Sequence, residues 1–320
     1  MRALVTGATG AAGSYFCEWL RREKPEVTVM GTTRGSSAWR VEGVDYATVD
    51  LAESTPEALF SPVPDYIVNF ASWARVRESF DRSGAYLKNN VGLMTNLLEG
   101  YRQYAPDARF LHVSTSEVYG AVAKAAWPQG ILEHAPFAPI SPYAASKAAQ
   151  EIMALSYFRS YGLPLVVTRS FGYVNARRSD LVATAWAYQL ARIEAGKQPL
   201  VLRHGNLDSV RTFCSVDELC WAYWAVLTEG APGEVYNIGS TEPVTLRSLL
   251  AQLVCAASEA PPIVLQLDPT LVRPADIPWQ VPNVDRARAR LDTSHCEVPL
   301  DTQLRRLMVE MRVRVAGEPP

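Results

Sequence analysis

The stretch Arg2-Ala3-Leu4-Val5-Thr6-Gly7-Ala8-Thr9-Gly10-Ala11-Ala12-Gly13 opens the chain and predicts its fold. Residues 2–6 form a short apolar run typical of a buried strand, and the periodic segment from Ser14 to about Arg22 is typical of a helix. Between them, Gly7, Gly10 and Gly13 permit a tight turn and let the backbone approach a pyrophosphate at the helix N-terminus. The stretch therefore predicts dinucleotide binding; the alternative is a glycine turn that only packs helix against strand.

Strand-like and helix-like segments alternate through the rest of the first half. The predicted strands that follow lie at residues 27–32, 45–51, 65–71, 109–113 and 165–169. Helices are predicted at about 93–104, 181–195, 216–227, 246–258 and 300–313. Strand–helix alternation is typical of a doubly wound parallel sheet, the Rossmann-type α/β fold, in which ligands bind beyond the carboxyl ends of the strands.

The two halves of the chain are expected to form two unequal domains. We expect residues 1–170 to form the dinucleotide-binding domain, with returning segments near 205–240. Residues 171–320 are expected to form mainly a smaller C-terminal substrate-binding domain, with the substrate in the cleft between the two.

Composition narrows the possible functions. The 320 residues are 48% hydrophobic and carry a net charge of −2, which allows a large core but gives no basic field for nucleic acid or an anionic membrane. No apolar segment approaches the ~20 residues of a membrane span, and no export signal follows Met1. Five scattered cysteines form no metal-binding pattern and favour a reducing, cytoplasmic location.

The end of the second predicted strand indicates which dinucleotide binds. A site that prefers NAD usually places an acid here for the ribose hydroxyl. This chain has Thr33-Arg34-Gly35-Ser36-Ser37 instead, and a guanidinium with hydroxyls suits a 2′-phosphate. We therefore predict NADP as the cofactor, with Arg34 and Ser36 as contacts; the alternative is a solvated loop arginine. Further candidate cofactor contacts are Asp50, Leu51, Phe70, Ala71 and Asn90.

A second motif, Ser141-Pro142-Tyr143-Ala144-Ala145-Ser146-Lys147, indicates proton transfer. If Pro142 opens a helix, Tyr143 and Lys147 lie on one face, one turn apart. An ammonium beside a phenol favours the phenolate and lowers the phenol pKa. The pair could then accept a proton from an alcohol as hydride leaves, or donate one to a ketone. The alternative is a half-exposed helix surface.

Together these motifs resemble the extended short-chain dehydrogenase/reductase family, in its GDP-mannose 4,6-dehydratase and GDP-4-keto-6-deoxymannose reductase branch. The glycine turn, the segment ending Val118-Tyr119-Gly120 and the Tyr143-x-x-x-Lys147 motif occur in the family's order. Thr115-Ser116-Glu117 looks like the dehydratases, whereas Arg273-Pro274-Ala275-Asp276 looks more like the reductases.

The resemblance implies roles for these residues in an enzyme that acts at C4 of a nucleotide sugar, with a GDP-hexose favoured. In a dehydratase, Tyr143 takes the C4 hydroxyl proton, Thr115 bonds O4, Glu117 removes the C5 proton and Ser116 helps the C6 hydroxyl leave. In a reductase, Tyr143 protonates a 4-keto oxygen and Glu117 has no essential task. The dehydratase is the favoured interpretation, because Thr115-Ser116-Glu117 is complete. A third possibility is a non-catalytic NADP(H)-binding sensor.

The resemblance also implies the substrate side of the site, where this chain departs from the family. Relatives usually show Arg-x-Phe-Asn, but this chain has Gly172 at the Asn position, and Thr212 stands where relatives have Asp. Asn175 is a candidate replacement for the missing amide. The other candidate substrate contacts are Ser79, Arg211 and Arg273, with Arg178 near the cofactor and no metal. The arginine–serine loop after the second strand implies a homo-oligomer.

Overall fold

The computed structural model describes residues 1–122, 124–257, 262–291 and 298–318. The strands are β1 Arg2–Thr6, β2 Thr28–Thr33, β3 Asp45–Thr48, β4 Tyr66–Asn69, β5 Arg109–Thr115, β6 Leu165–Ser170, β7 Val201–His204, β8 Val210–Arg211, β9 Val235–Ile238, β10 Val244–Thr245 and β11 Val264–Leu267. The helices are α1 Ala11–Glu23, α2 Val76–Asp81, α3 Ser83–Tyr104, α4 Pro142–Tyr161, α5 Val182–Glu194, α6 Val216–Glu229, α7 Leu246–Ala256, α8 Asp285–Arg290 and α9 Leu300–Ala316.

A seven-stranded parallel sheet in the order β3-β2-β1-β4-β5-β6-β9 forms the centre of the fold. The order reverses beside β1, and the carboxyl ends of β1 and β4 meet there in register, with Thr6 opposite Asn69. Such a switch point leaves a crevice above the strand ends, where ligands bind in open parallel sheets. The predicted doubly wound Rossmann-type fold is confirmed.

Each face of the sheet is covered by its own apolar layer. On one face, α1 and α6 contribute buried side chains such as Phe16, Leu20 and Tyr223. On the other face, α3 and α4 contribute residues such as Met94 and Ala154. Burial of one large apolar side chain contributes roughly 1.5–3 kcal/mol, so the two layers hold the strand ends in fixed positions.

A third apolar cluster lies among the helices of the second half. It joins α5, α7 and α9 through residues such as Trp186, Leu250 and Met308. Strand β9 also belongs to the second half of the chain, yet it pairs with β6 and completes the sheet. The division of the chain at residue 170, with returning segments near 205–240, stays a prediction.

The predicted elements are present, with shifts at their ends. Helix α3 begins at Ser83, ten residues before the predicted start. The sequence does not reveal these first turns, because their buried face includes the polar Asn90 and lacks a clear apolar period. The last residue of the helix predicted at 246–258 lies outside the described residues. Across the described ranges, no helix is long and apolar enough to cross a bilayer.

Candidate active site

Helix α4 presents Tyr143 and Lys147 at the carboxyl ends of the central strands. Its start is fixed as the sequence predicts: Pro142 occupies the first turn, and Ser141 Oγ accepts a hydrogen bond of 3.1 Å from the Ala144 amide. Both functional side chains are buried, Tyr143 being 9% and Lys147 3% exposed. The helix therefore holds the pair on one face against β5.

The Tyr143 hydroxyl lies among groups that act on its proton. Burial raises the pKa of Tyr143 to about 12, opposed by the nearby charge of Arg178 and by a hydrogen bond with Thr115. The expectation of a lowered pKa is wrong for this arrangement, because desolvation of the phenolate outweighs the favourable charges. Tyr143 is therefore protonated at neutral pH, and the base form requires positive charge beside it.

Thr115 and Glu117 enter the same cleft from the end of β5. Thr115 is the last residue of that strand, and its Oγ1 accepts a 3.3 Å hydrogen bond from the Glu117 amide. The Glu117 charge acts on Tyr143, which places the carboxylate within electrostatic reach of the phenol. Ser116, between them, is 6% exposed. The structure thus brings Tyr143, Thr115 and Glu117 together, while Lys147 lies one turn along α4 and the catalytic roles of all five residues stay a prediction.

A cavity of about 350 Å³ lies above β1, β2 and β3. Eight of the predicted cofactor contacts line it: Gly7, Gly10, Arg34, Ser36, Asp50, Leu51, Phe70 and Ala71. A Cβ on Gly13 would lie 2.3 Å from the Gly7 carbonyl oxygen, so the turn closes tightly only without a side chain there. Gly10 begins α1 at the edge of this cavity, and the first-turn residues Ala11, Ala12 and Gly13 line the cavity that adjoins it, where their amides are available to an anion. These features fit the pyrophosphate and adenosine of a dinucleotide.

Asn90, also predicted to contact the cofactor, is buried behind this cavity. Its Oδ1 accepts from the Trp73 amide at 2.8 Å, and its Nδ2 donates to the Trp73 carbonyl at 3.0 Å and to Ser146 Oγ at 2.8 Å. The Asn90 amide therefore ties the loop after β4 to α3 and α4. It acts on the cofactor cavity through the position of Trp73, which lines it.

A second cavity of about 480 Å³ adjoins the glycine turn and is rich in arginine. Its lining includes Arg34, Arg75, Arg82, Arg177 and Arg178. Such a surface favours anionic groups, since guanidinium presents several donors to phosphate oxygens. Gly13, the remaining predicted glycine, lines this cavity as well.

The paired arginines Arg177 and Arg178 face different partners. Arg178 donates to Asp180 at 2.9 Å and its charge acts on Tyr143, so it belongs to the reacting side of the cleft. Arg177 instead donates to Ser14 and lies 3.8 Å over the Tyr15 ring. Arg177 fastens the loop after β6 to α1, and only Arg178 stands beside the phenol.

The predicted substrate residues Arg211 and Arg273 lie in an arginine–carboxylate cluster with Glu117 and Asp276. Arg273 Nη1 lies 3.2 Å from Glu117 Oε1, and Arg211 Nη2 lies 3.4 Å from Asp276 Oδ1. Burial alone would raise the pKa of Asp276, but hydrogen bonds from Ser209 and Asn206 hold it below its ordinary value. Asp276 is thus held in its ionised form, and Glu117 is ion-paired with Arg273.

Ser79 and Asn175 are not brought to the cleft. Ser79 is fully buried and donates to the Val76 carbonyl of its own helix at 2.6 Å. Asn175 is 1% exposed, donates to the Ala11 carbonyl at 3.3 Å and accepts from the Arg177 amide at 2.9 Å. In this arrangement Asn175 does not replace the amide that relatives carry at position 172.

The two departures from the family pattern, Gly172 and Thr212, are in contact. A Cβ at position 172 would lie 2.2 Å from the Thr212 carbonyl oxygen. The Cys214 amide donates to the Gly172 carbonyl at 3.2 Å, which holds the two segments together. Thr212 Oγ1 is buried and has no hydrogen-bond partner among the described residues. An asparagine side chain has no room at position 172 unless this contact opens.

Three further residues shape the site without having been predicted. Asp276 fixes Arg211, Trp73 lines both cavities, and Gln150 bonds Lys147. Asp276 belongs to the sequence motif that begins at Arg273, which was a usable signal. Nothing local marks Trp73 or Gln150, because their roles depend on contacts with residues distant in the chain.

Comparison with known proteins agrees with this geometry. The family model described as GDP-mannose 4,6 dehydratase matches residues 4–296. The chain is 33% identical over 268 residues to dTDP-glucose 4,6-dehydratase of Streptomyces antibioticus, covering 80% of this chain and 77% of that protein. It is 28% identical over 323 residues to GDP-6-deoxy-D-mannose reductase of Pseudomonas aeruginosa, covering 99% of each.

Among solved structures, the chain is similar to RMD from Pseudomonas aeruginosa complexed with NADPH. The TM-score is 0.85 at 26% identity, with 98% of this chain and 99% of that chain covered. The homologues are nucleotide-sugar dehydratases and reductases. Since the family model spans most of the sequence and the fold agrees end to end, the chain belongs to the GDP-mannose 4,6 dehydratase family of extended short-chain dehydrogenases/reductases.

Proposed function

We propose that the protein is an NADP-dependent nucleotide-sugar 4,6-dehydratase acting on a GDP-mannose-like GDP-hexose. The observation that supports this most is the meeting of Tyr143, Thr115 and Glu117 in one cleft. Oxidation of an alcohol needs a proton acceptor on its oxygen, and elimination of water needs a carboxylate near the adjacent carbon. The cleft contains both kinds of group.

The first proposed step occurs at C4 of the sugar. Thr115 hydrogen-bonds O4 and Tyr143 accepts the hydroxyl proton, while Lys147 and Arg178 supply the positive charge that favours the phenolate. A nicotinamide held by the cofactor cavity would supply the hydride chemistry that oxidation at C4 and the later reduction at C6 require. The product of the first step is a 4-ketone, and the net sequence is redox-neutral.

The second proposed step removes water across C5 and C6. The ketone acidifies the C5 hydrogen, Glu117 accepts that proton, and the C6 hydroxyl leaves as water by taking a proton from Glu117 through the Ser116 hydroxyl. When C6 is reduced, C5 takes a proton from solvent, and the proton that Tyr143 took from O4 returns to solvent. In the structure Glu117 is occupied by its ion pair with Arg273 and is not free to contact the C5 hydrogen. The substrate diphosphate therefore has to draw Arg273 away from Glu117, and the exposure of Arg273, 33%, makes it reachable.

The preference for NADP rests on the loop after β2. Arg34 and Ser36 line the first cavity and are exposed to it. A guanidinium and a hydroxyl suit a 2′-phosphate. The similar structure of RMD is described as complexed with NADPH, which supports the same choice.

A 4-keto-6-deoxy nucleotide-sugar reductase is the second candidate. It is favoured by the alignment with GDP-6-deoxy-D-mannose reductase over 99% of both chains. The raised pKa of Tyr143 also suits an acid that donates a proton to a ketone oxygen. In a reductase, the pairing of Glu117 with Arg273 would persist through the reaction, since no C5 proton has to be removed.

The same proposal includes a homo-oligomer in a reducing cytoplasm. The thiols of Cys17, Cys214, Cys220 and Cys255 are all free, and the first three are buried. The loop 33–37 is the expected interface element. Light scattering of the purified protein checks the assembly, and a monomer at micromolar concentration would contradict it.

Incubation with GDP-mannose and sub-stoichiometric NADP⁺ separates the candidates. A 4-keto product formed over many turnovers supports the dehydratase, because the cofactor returns to its starting state. NADPH consumption with a 4-keto-6-deoxy sugar, and no reaction with GDP-mannose, supports the reductase. Stoichiometric cofactor binding without either reaction would contradict both and favour a sensor or another nucleotide sugar.

A further inference from the structure

A glutamine on α4 holds the buried ammonium of Lys147. Lys147 Nζ donates to the Val113 carbonyl of β5 at 2.7 Å and to Gln150 Oε1 at 2.8 Å. Gln150 is fully buried and lies three residues further along the same helix. An ammonium has three N–H donors, so these two acceptors leave one donor for the phenol or for a bound ribose.

The orientation of the Gln150 amide is fixed from both ends. Its Nε2 donates to the Asn90 carbonyl of α3 at 2.7 Å, while its Oε1 faces the ammonium. A flipped amide would place its NH₂ against a cation and its oxygen against a carbonyl oxygen. Both contacts would be repulsive in a buried setting, where an unmet polar group is costly. Gln150 therefore presents an oxygen to Lys147 and no alternative.

The charged groups around Lys147 do not replace this acceptor. Burial lowers the pKa of Lys147 to about 7, opposed by Glu151 on the next turn of α4. Glu151 is itself held by Arg169 of β6 at 2.6 Å. From β5, His112 is fully buried and its pKa is lowered well below the ordinary value, so it is neutral. Toward the cleft, Glu117 acts on Tyr143.

We propose that Gln150 is a positioning residue for the Tyr143–Lys147 pair, whose amide oxygen keeps Lys147 protonated and directs its remaining N–H toward the cleft. The inference rests on the catalytic use of Tyr143 and Lys147 in the proposed function. Without the Gln150 acceptor, the buried amine loses its proton at a lower pH. Tyr143 then keeps Arg178 but loses the second of the two cations that favour the phenolate.

The chain offers a direct measurement because it contains five lysines: Lys24, Lys88, Lys124, Lys147 and Lys197. Protein labelled with ¹³C and ¹⁵N in lysine gives five side-chain signals, and the Lys147→Arg variant identifies that of Lys147. Titration of this signal in the NADP-bound protein measures the Lys147 pKa without any sugar substrate. The wild type is compared with Gln150→Met, which is similar in shape and lacks the acceptor, and with Gln150→Glu.

The two variants are expected to shift the Lys147 pKa in opposite directions. Gln150→Met should lower it by about one pH unit or more, since a hydrogen bond to a charged group is lost. Gln150→Glu should raise it, because a carboxylate then faces the ammonium. An unchanged Lys147 pKa in both variants overturns the inference. If Gln150→Met does not fold, Gln150→Glu alone decides, and a missing or downward shift overturns it.

The pH dependence of turnover tests the same inference through enzyme activity. The alkaline limb of kcat/KM should move to lower pH in Gln150→Met and to higher pH in Gln150→Glu. A uniform loss of activity at every pH, with the limb unmoved, would indicate a merely structural glutamine and contradict the inference. If the wild type turns over neither sugar while the lysine signals shift as expected, the proposed function fails and the assignment of Gln150 stands.

Discussion

The cofactor side and the substrate side of the cleft differ in what forms their surfaces. The first cavity is bordered by backbone at Gly7 and Gly10, and the first turn of α1 lines the adjoining second cavity. The substrate side consists of arginines that already have acidic partners, as in the pairs Arg211–Asp276 and Arg273–Glu117. A backbone surface receives an anion with little rearrangement, whereas paired side chains must exchange partners. We therefore expect cofactor affinity to rest mainly on the backbone, and affinity for a sugar nucleotide to depend on displacement of these acidic partners.

Tyr143→Phe tests the phenol that lies where the cofactor side and the substrate side of the cleft meet. The loss of the phenol that exchanges a proton with the reacting oxygen should lower kcat by roughly 10²–10⁴-fold while NADP binding is kept. Steady-state rates and a cofactor titration provide the two readouts. Tyr173→Phe is the matched control, since Tyr173 is partly buried and also lies beside Arg178. An equal loss in the control would contradict the assignment.

Glu117→Gln separates the two reactions on the substrate side. Incorporation of solvent deuterium at C5 should fall by about 100-fold or more, since the amide cannot accept the proton. Oxidation at C4 should continue in a single turnover, observed as transient NADPH absorbance. Glu78→Gln is the control, because Glu78 lines the second cavity without acting on Tyr143. Full C5 exchange in Glu117→Gln would remove this carboxylate from the mechanism.

Arg34→Gln tests the proposed side-chain contact on the cofactor side, between the Arg34 guanidinium and a 2′-phosphate. Loss of one charge-assisted contact to a 2′-phosphate should weaken NADP binding by about 10–100-fold and leave NAD binding unchanged. Binding of both dinucleotides by calorimetry measures the ratio. Arg40→Gln serves as control, because Arg40 lies over the Tyr46 ring nearby and should leave the ratio unaltered. Equal weakening for both dinucleotides would contradict NADP selection by Arg34.

Arg273→Gln is expected to have the smallest effect. Removal of one diphosphate contact should raise KM by about 10-fold, with a smaller change in kcat because Glu117 is released from its ion pair. Initial rates over a range of sugar-nucleotide concentrations separate the two constants. Arg247→Gln, which removes an exposed pair with Asp208, should change neither. A lower kcat with unchanged KM would contradict the diphosphate role.

The cofactor side could be predicted from sequence because its determinants are local. The strand, the glycine turn and the helix follow one another within residues 2–23, and Ser141 with Pro142 fixes the start of α4 from adjacent positions. Short-range geometry suffices there, since each residue's partner lies within a few positions.

The substrate side could not be predicted in the same way. Glu117 and Arg273 are 156 residues apart, and each was assigned its own role without any sign that they pair. Strand β9 was likewise not predicted, because four residues that include Asn237 give too short a pattern. Contacts between distant segments depend on tertiary packing, which neither periodicity nor motif spacing encodes.

Because residue 172 is a glycine, the carbonyl oxygen of Thr212 lies where a side chain at position 172 would otherwise be. An asparagine at this position would meet that oxygen before its amide could reach a ligand. Because the oxygen belongs to the backbone of Thr212, a new side chain at 212 does not relieve the clash, and the segment itself has to move. Grafting experiments that aim to exchange specificity between relatives would have to transplant both loops together.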